Sequence, residues 1–372
     1  MNHVTAYTLN LEGNNYEVGY QAGKFMEENS QLRSIHTQSV EGFGAGDFKD
    51  AQSLFSRWCP GLNEEIQGFA DALQVKAEQI YFYGMTYLLP RCSHVALLPS
   101  MTAEQKPLLA RNYEFNHEAE DFCLVKTNIT GKFAHIGTSV LFFGRDDGIN
   151  EHGLAVTMSS CGFPVGAMPY MREPKIKGLQ FWAVIRALLE NCKDVREGLE
   201  YIRDMPIAYN LNLILLDQVG NAALVETVDG RLSYKKLDST SHQQFLHATN
   251  HPVLPELIPY EPKAFVHSLK RYDYITGTLT DAGKVTSDQL KHMLLSKYPK
   301  GLCTHYYKEF FGTTKSMILS PADKSIDICW GGREENGWER YQVGDAMKEA
   351  VREIELNFEN ADPDIYTYRP IL

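Results

Sequence analysis

Leu89-Pro90-Arg91-Cys92-Ser93-His94 and, nineteen residues on from the cysteine, Ala110-Arg111-Asn112-Tyr113-Glu114-Phe115 are the two stretches on which the reading of this chain turns. Cys92 stands where a helical region gives way to the first strand-like run, and Arg111 lies at the end of the next such run. A Cys-strand-turn-strand-Arg unit is a hairpin, and it brings Cys92 and Arg111 together. Either residue alone is weak evidence. A cysteine in a strand is more often small core packing than a reactive thiol, and an Arg-Asn-aromatic-Glu run is more often a solvated strand end.

On both sides of this hairpin the pattern differs. Upstream it is helical: residues 15–30 and 48–58 read as helices, and Asn63 is placed to cap a helix whose apolar stripe is Ile66, Phe69, Ala70 and Leu73. Downstream come short apolar runs at His94–Leu98, Pro107–Arg111, Phe122–Thr127, Ala134–Phe143 and Gly153–Ser159. Turn signals divide them, among them Thr130-Gly131 and Arg145-Asp146-Asp147-Gly148. Trp182, Ile185, Leu189 and Cys192 share a helix face, Asp194 caps a second helix, and Leu211–Leu216 with Ala222–Thr227 reads as a hairpin. Helices near 263–279 and 286–297 precede a last hairpin, Ser316–Ser320 with Ile326–Trp330. Strands follow strands and helices follow helices. The predicted fold is therefore α+β, a layered sandwich of helices over two antiparallel sheets, and not a doubly wound βαβ domain.

Composition narrows the function. The 372 residues are 44% hydrophobic and 22% charged, which are globular values with ample material for a core. With 47 acidic against 36 basic residues and a net charge of -11, broad binding to nucleic-acid phosphates is not expected. No apolar run reaches the ~20 residues of a membrane span, and the N-terminus lacks the pattern of a secretory leader. Seven widely spaced cysteines do not form a disulfide framework. A cytoplasmic protein with reduced thiols is expected, without membrane or nucleic-acid partners. Metal templates (CxxC, HExxH, EF-hand) are absent from the sequence, so no metal or other cofactor is expected. The run Gly42-Phe43-Gly44-Ala45-Gly46 lacks a phosphate cradle's preceding strand and closing Gly-Lys-Ser/Thr, and reads as a loop.

The order of several short motifs resembles the acyl-coenzyme A:6-aminopenicillanate acyltransferase family of cysteine N-terminal-nucleophile hydrolases, and more distantly the choloylglycine hydrolases. Gly13-Asn14-Asn15-Tyr16-Glu17-Val18-Gly19-Tyr20-Gln21-Ala22-Gly23 is similar to the family's opening motif. Cys92-Ser93 is similar to its nucleophile, and Arg111-Asn112-Tyr113-Glu114 to its Arg-Asn-x-Asp/Glu. Asn150-Glu151-His152-Gly153-Leu154, Thr249-Asn250-His251-Pro252 and Ser268-Leu269-Lys270-Arg271 follow in the family's order.

The resemblance implies a four-layer αββα N-terminal-nucleophile hydrolase sandwich. It implies self-cleavage at Arg91–Cys92, with 1–91 as a propeptide or small subunit and 92–372 as the catalytic domain. It implies an amidohydrolase or acyltransferase on linear C–N bonds, working through an acyl-thioester on Cys92. After the cut Cys92 would carry both a thiol (pKa ~8.5) and an α-amine (~7.7–8.0) able to take its proton. By the same resemblance Arg111 supports the thiolate or the scissile carbonyl, Glu114 orients the ammonium, and Asn250 and a backbone amide near Ser160 receive the oxyanion. Arg271 orders the site or merely packs. The chain departs from many relatives in placing Arg91 rather than glycine before the nucleophile, Glu114 where the bile-salt enzymes have Asp, and Ser160 where they have Asn. Phe142, Phe143, Phe163, Tyr170 and Tyr209 are read either as an acyl pocket or as plain core. The expected partner is a small N-acyl substrate, and the oligomeric state is open. Two rivals stand beside this reading: an uncleaved ligand-binding chain of the same fold, and a Cys92/His94 dyad, which a separation of about 7 Å along one strand face disfavours.

Overall fold

Two large sheets divide this chain, beside a two-stranded one of Lys263–Phe265 and Tyr368–Pro370, and the sequence explains why the central strands of each large sheet are buried on both faces. The computed structural model describes residues 2–28, 33, 34, 36, 37, 43–166 and 170–371. Gly42 and the last two residues of the helix expected over 15–30 lie outside the described residues.

The larger sheet has ten strands. From one edge to the other its main path is Arg231–Leu237, Ala222–Val228, Leu211–Leu216, Ala155–Ser160, Asp147–Asn150, His135–Val140, Cys123–Ile129, Asn2–Gly13 and Ala350–Leu356. The smaller has seven, with the path Phe245–Ala248, Ser93–Leu97, Leu108–Phe115, Phe311–Ser320, Ser325–Trp330 and Glu339–Gln342.

Side chains alternate along each strand and assign the layers. In Leu211–Leu216, Leu213 and Leu215 join the core on the helical side, with the helix Val195–Ile202 against the strand, while Ile214 and Leu216 face the second sheet. In Ser93–Leu97, Ala96 joins that inter-sheet core, and Val95 and Leu97 pack under Val266–Leu279 and Ser287–Leu295. The layers therefore run helix, sheet, sheet, helix, as expected. Continuous apolar strands such as Leu-Asn-Leu-Ile-Leu-Leu follow from cover on both faces. Among the described residues no helix is long and apolar enough to cross a membrane.

Several sequence expectations shift. Residues 2–13, inside a region read as helical, form a strand. It pairs parallel with Cys123–Ile129 and antiparallel with Ala350–Leu356, so the N-terminus is built into the larger sheet. The helix Leu62–Leu73 is capped by Gly61 at φ 88°, not by Asn63, whose amide bonds the Gln52 carbonyl and the Ser56 hydroxyl. Gly44 caps the helix Ala45–Trp58, so the glycine run is partly helical. The expected strand 134–143 stops at Val140, because Leu141 and Phe142 turn at φ 62° and 61° with the Phe142 amide held by Asp121.

Gly19 of the opening motif and Gly68 have a packing reason. A Cβ on Gly19 would lie 1.8 Å from the Glu65 carbonyl oxygen, and one on Gly68 would lie 2.1 Å from that of Tyr16. Both close contacts join the helices Asn15–Glu27 and Leu62–Leu73. Glu65 in turn forms a fork with Arg186 on the helix Phe181–Asn191, at 3.0 and 2.7 Å, fully buried.

Candidate active site

Register brings the site together at one end of the smaller sheet. His94 pairs with Arg111 and Ser93 with Asn112, so the chain entering Ser93–Leu97 runs beside the end of Leu108–Phe115. On the other flank His94 pairs with Ala248, and Asn250 follows two residues later. Cys92 is buried, and Arg111 Nη2 lies 3.4 Å from its Sγ. Burial pushes the Cys92 thiol up to about 12, and the nearby Arg111 charge pulls against it.

The two arginines come from opposite faces of that sheet. Arg111 points into the space between the sheets. Its Nη1 donates to the Asp146 carbonyl at 2.6 Å and to the Asp147 carboxylate. Thr138 holds Asp147 through its amide at 2.9 Å and its hydroxyl at 2.8 Å. Lys315 Nζ bridges Asp146 and Glu120 at 2.9 Å each. Burial works to lower the pKa of Arg111, but Cys92, Asp147 and Asp146 together lift it above its ordinary value, so the guanidinium stays charged.

Arg271 reaches in from the helix Val266–Leu279 on the outer face. Its Nη1 donates to the Arg91 carbonyl at 3.1 Å and to Glu114 Oε2 at 3.2 Å, and its Nη2 donates to Asn250 Oδ1 at 2.6 Å. Holding Oδ1 turns the Asn250 amide, so that Nδ2 points to the Ser160 carbonyl and hydroxyl, both at 3.1 Å. Ser160 Oγ donates to the Pro90 carbonyl at 2.6 Å, and the Arg91 amide donates to the Glu114 carbonyl at 2.8 Å. Glu114 Oε1 accepts from Thr313 at 3.0 Å. Burial lifts the Glu114 carboxyl to about 7 despite Arg271, and burial likewise lowers Arg271 despite Glu114.

All six sequence-chosen residues therefore meet: Cys92, Arg111, Glu114, Ser160, Asn250 and Arg271. Arg271 does more than pack, since it ties Arg91, Glu114 and Asn250 into one network. Two of the amides near Ser160 are engaged, Cys161 with the Asn210 carbonyl and Gly162 with that of Asn250. His94 belongs to a different network. Its ring nitrogens face Thr157 Oγ1 at 2.8 Å and Ser159 Oγ at 3.3 Å, and burial holds its pKa well below normal. It is a satisfied core histidine.

The sequence missed Asp146, Asp147, Thr138, Glu120 and Lys315. Arg145-Asp146-Asp147-Gly148 reads as a surface turn, yet all three charged residues are fully buried. Three consecutive charges beside a long apolar run were the available signal, but the cations that pair with Asp146 and Asp147, Lys315 and Arg111, lie far away in sequence.

A small cleft of about 20 Å³ lies against Arg91, walled by Leu89, Pro90, Phe163, Tyr209, Phe265 and His267. Of the aromatic residues offered as a pocket, Phe163 and Tyr209 line it. Phe142 and Phe143 are core, and Tyr170 is exposed. Among the described residues no group of three or more His, Cys, Asp or Glu is placed to hold a metal ion.

The chain is similar to a cysteine-to-alanine mutant of conjugated bile acid hydrolase from Clostridium perfringens, at 11% identity over 73% of this chain and 98% of that one, with a TM-score of 0.40. It is also similar to penicillin V acylase from Agrobacterium tumefaciens, at 16% identity over 64% and 83%, with a TM-score of 0.37. No curated protein sequence matches it. The family model of acyl-coenzyme A:6-aminopenicillanic acid acyl-transferase matches residues 101–335, and the chain belongs to that family. The match takes in Arg111, Glu114, Ser160, Asn250 and Arg271, while Arg91 and Cys92 precede it.

Proposed function

We propose that this chain is a self-processing cysteine amidohydrolase or acyltransferase that cuts itself between Arg91 and Cys92 and then carries acyl groups as thioesters on Cys92. The observation that carries the reading is the grip on one peptide bond. Arg111 lies 3.4 Å from the thiol, while Arg271 holds the carbonyl that the thiol would attack.

In the uncut chain the thiol attacks the Arg91 carbonyl carbon. The C–N bond breaks, and the Cys92 nitrogen leaves as a free amine. Water then splits the thioester, giving an Arg91 carboxylate and a free thiol. Leu89 and Pro90 wall the cleft beside Arg91, so their departure would widen it toward Cys92 for a substrate and for water. With water admitted, the thiol's pKa falls back toward its ordinary range, where the α-amine can take its proton.

In the mature site Arg111 would stabilise the thiolate. Asn250 Nδ2, already turned by Arg271, would donate to the developing oxyanion. Glu114 would orient the new ammonium from the neighbouring strand. Water as acceptor gives hydrolysis, and an amine gives acyl transfer.

Residues 1–91 would remain as a small subunit, and 92–372 would be the catalytic unit. The strand Asn2–Gly13 is interior to the larger sheet, and the helices of the first segment supply much of the core beneath it, which supports retention. Intact mass of the purified protein tests the proposal: pieces of 91 and 281 residues are expected. A single uncut chain would favour the ligand-binding alternative.

A further inference from the structure

We propose that the acyl groups preferred by this site are α-aminoacyl groups with a cationic side chain, arginine above all, so that its substrates are amides of basic amino acids or of peptides ending in one. The proposal rests on the reading that Cys92 attacks the Arg91 carbonyl.

In that self-cut the acyl group transferred to sulfur is Arg91 itself. A substrate acyl group bonds the same sulfur through its carbonyl carbon, so its substituents need the space Arg91 fills. That space is specific. The Arg91 amide donates to the Glu114 carbonyl at 2.8 Å, and its own carbonyl accepts from Arg271 at 3.1 Å. These two contacts fit the backbone of an N-acylated amino acid.

The side chain is the selective part. Its guanidinium lies 4.9 Å from the ring centre of Tyr366. A planar, weakly hydrated cation gains on an aromatic face what a neutral chain does not. Tyr366 donates its hydroxyl to the Glu309 carbonyl, and Glu309 has a buried carboxylate oxygen with no hydrogen-bond partner among the described residues. Phe265 stacks within 5.5 Å of His267 and lies 5.0 Å from Tyr368, so this wall is aromatic well beyond the one ring.

The reaction on such a substrate needs only water. The thiol attacks the acyl carbon, the amine leaves with a proton, and water releases the amino acid as its carboxylate.

The test uses the matured, cut protein and aminomethylcoumarin amides of N-acetyl-arginine, N-acetyl-lysine, N-acetyl-norleucine and phenylacetic acid. The arginyl amide is expected to exceed the norleucyl amide at least tenfold in kcat/KM, with lysyl between. Tyr366→Leu is expected to cut that ratio below threefold. Should Tyr366→Leu disturb folding, the uncut chain offers a second readout: Arg91→Lys should slow self-cleavage less than tenfold, and Arg91→Glu by more than a hundredfold. Equal or faster turnover of the norleucyl or phenylacetyl amide, or self-cleavage indifferent to residue 91, overturns the proposal. If the chain is cut and Cys92 is acylated by any probe without this preference, the substrate proposal fails while the proposed function stands. If the chain stays whole and no probe acylates Cys92, both fail.

Discussion

Replacing Arg271 separates a structural network from an accidental one. Its guanidinium is fully buried and donates to the Arg91 carbonyl, Glu114 and Asn250 at 3.1, 3.2 and 2.6 Å. Hydrogen bonds from a charged group contribute about 1.5–3 kcal/mol each. The bond to the Arg91 carbonyl strengthens as that oxygen gains charge under attack, so it acts on the barrier. At about 1.4 kcal/mol per decade, Arg271→Leu should slow self-cleavage about 10- to 150-fold. Arg271→Lys should fall between, because one ammonium cannot fork to Glu114 and Asn250 together.

Stability changes in a way that identifies the mechanism. In an uncut Cys92→Ala background, Arg271→Leu leaves Glu114 buried without its cation, a loss of about 3–5 kcal/mol where the carboxyl must stay ionised. Glu114, lifted by burial to about 7 even beside Arg271, escapes by keeping a proton. The loss should therefore be small near pH 6 and grow with pH by up to about 1.4 kcal/mol per unit. Cleavage is followed on denaturing gels after in vitro translation, and stability by urea melts at pH 6, 7 and 8. Arg271→Leu cutting at the parent rate, or losing the same stability at every pH, refutes the reasoning.

Further outcomes follow from the same contacts. Glu114 has a folded pKa above its unfolded value, so its contribution is complete below about pH 4.5 and lost as pH rises to about 7; urea melts of Cys92→Ala should show that decline, and Glu114→Gln should flatten it. Glu65→Ala removes the Arg186 fork between the first 91 residues and the rest, and should cost about 3 kcal/mol and loosen the small piece, seen by native size measurement after cutting. Gly19→Ala should destabilise more than an ordinary surface change, since its Cβ would sit 1.8 Å from the Glu65 carbonyl oxygen; a thermal melt unchanged from the parent would contradict that packing.

What the sequence revealed follows the range of the forces involved. The helix Leu62–Leu73 and the hairpin 211–228 were legible because their patterns are local: an apolar stripe in one, two apolar runs around a turn in the other. The meeting of Cys92 and Arg111 was legible because one hairpin joins them. The strand Asn2–Gly13 was not, because its partners lie more than a hundred residues on and helical neighbours dominate its surroundings. Asp146 and Asp147 look like turn residues, and the cations that pair with them in the core, Lys315 and Arg111, are brought in by the facing sheet. Local chemistry misled at Asn63, where a glycine in the left-handed region supplied the cap instead.

Sequencing the N-terminus of the larger piece from purified protein, beside the Cys92→Ala variant, bears most directly on the account. A new terminus reading Cys-Ser-His-Val-Ala in the parent, and one unbroken chain in the variant, is the predicted result. A variant still broken at residue 91 would show that another group makes the cut, and the sulfur-centred mechanism would be wrong.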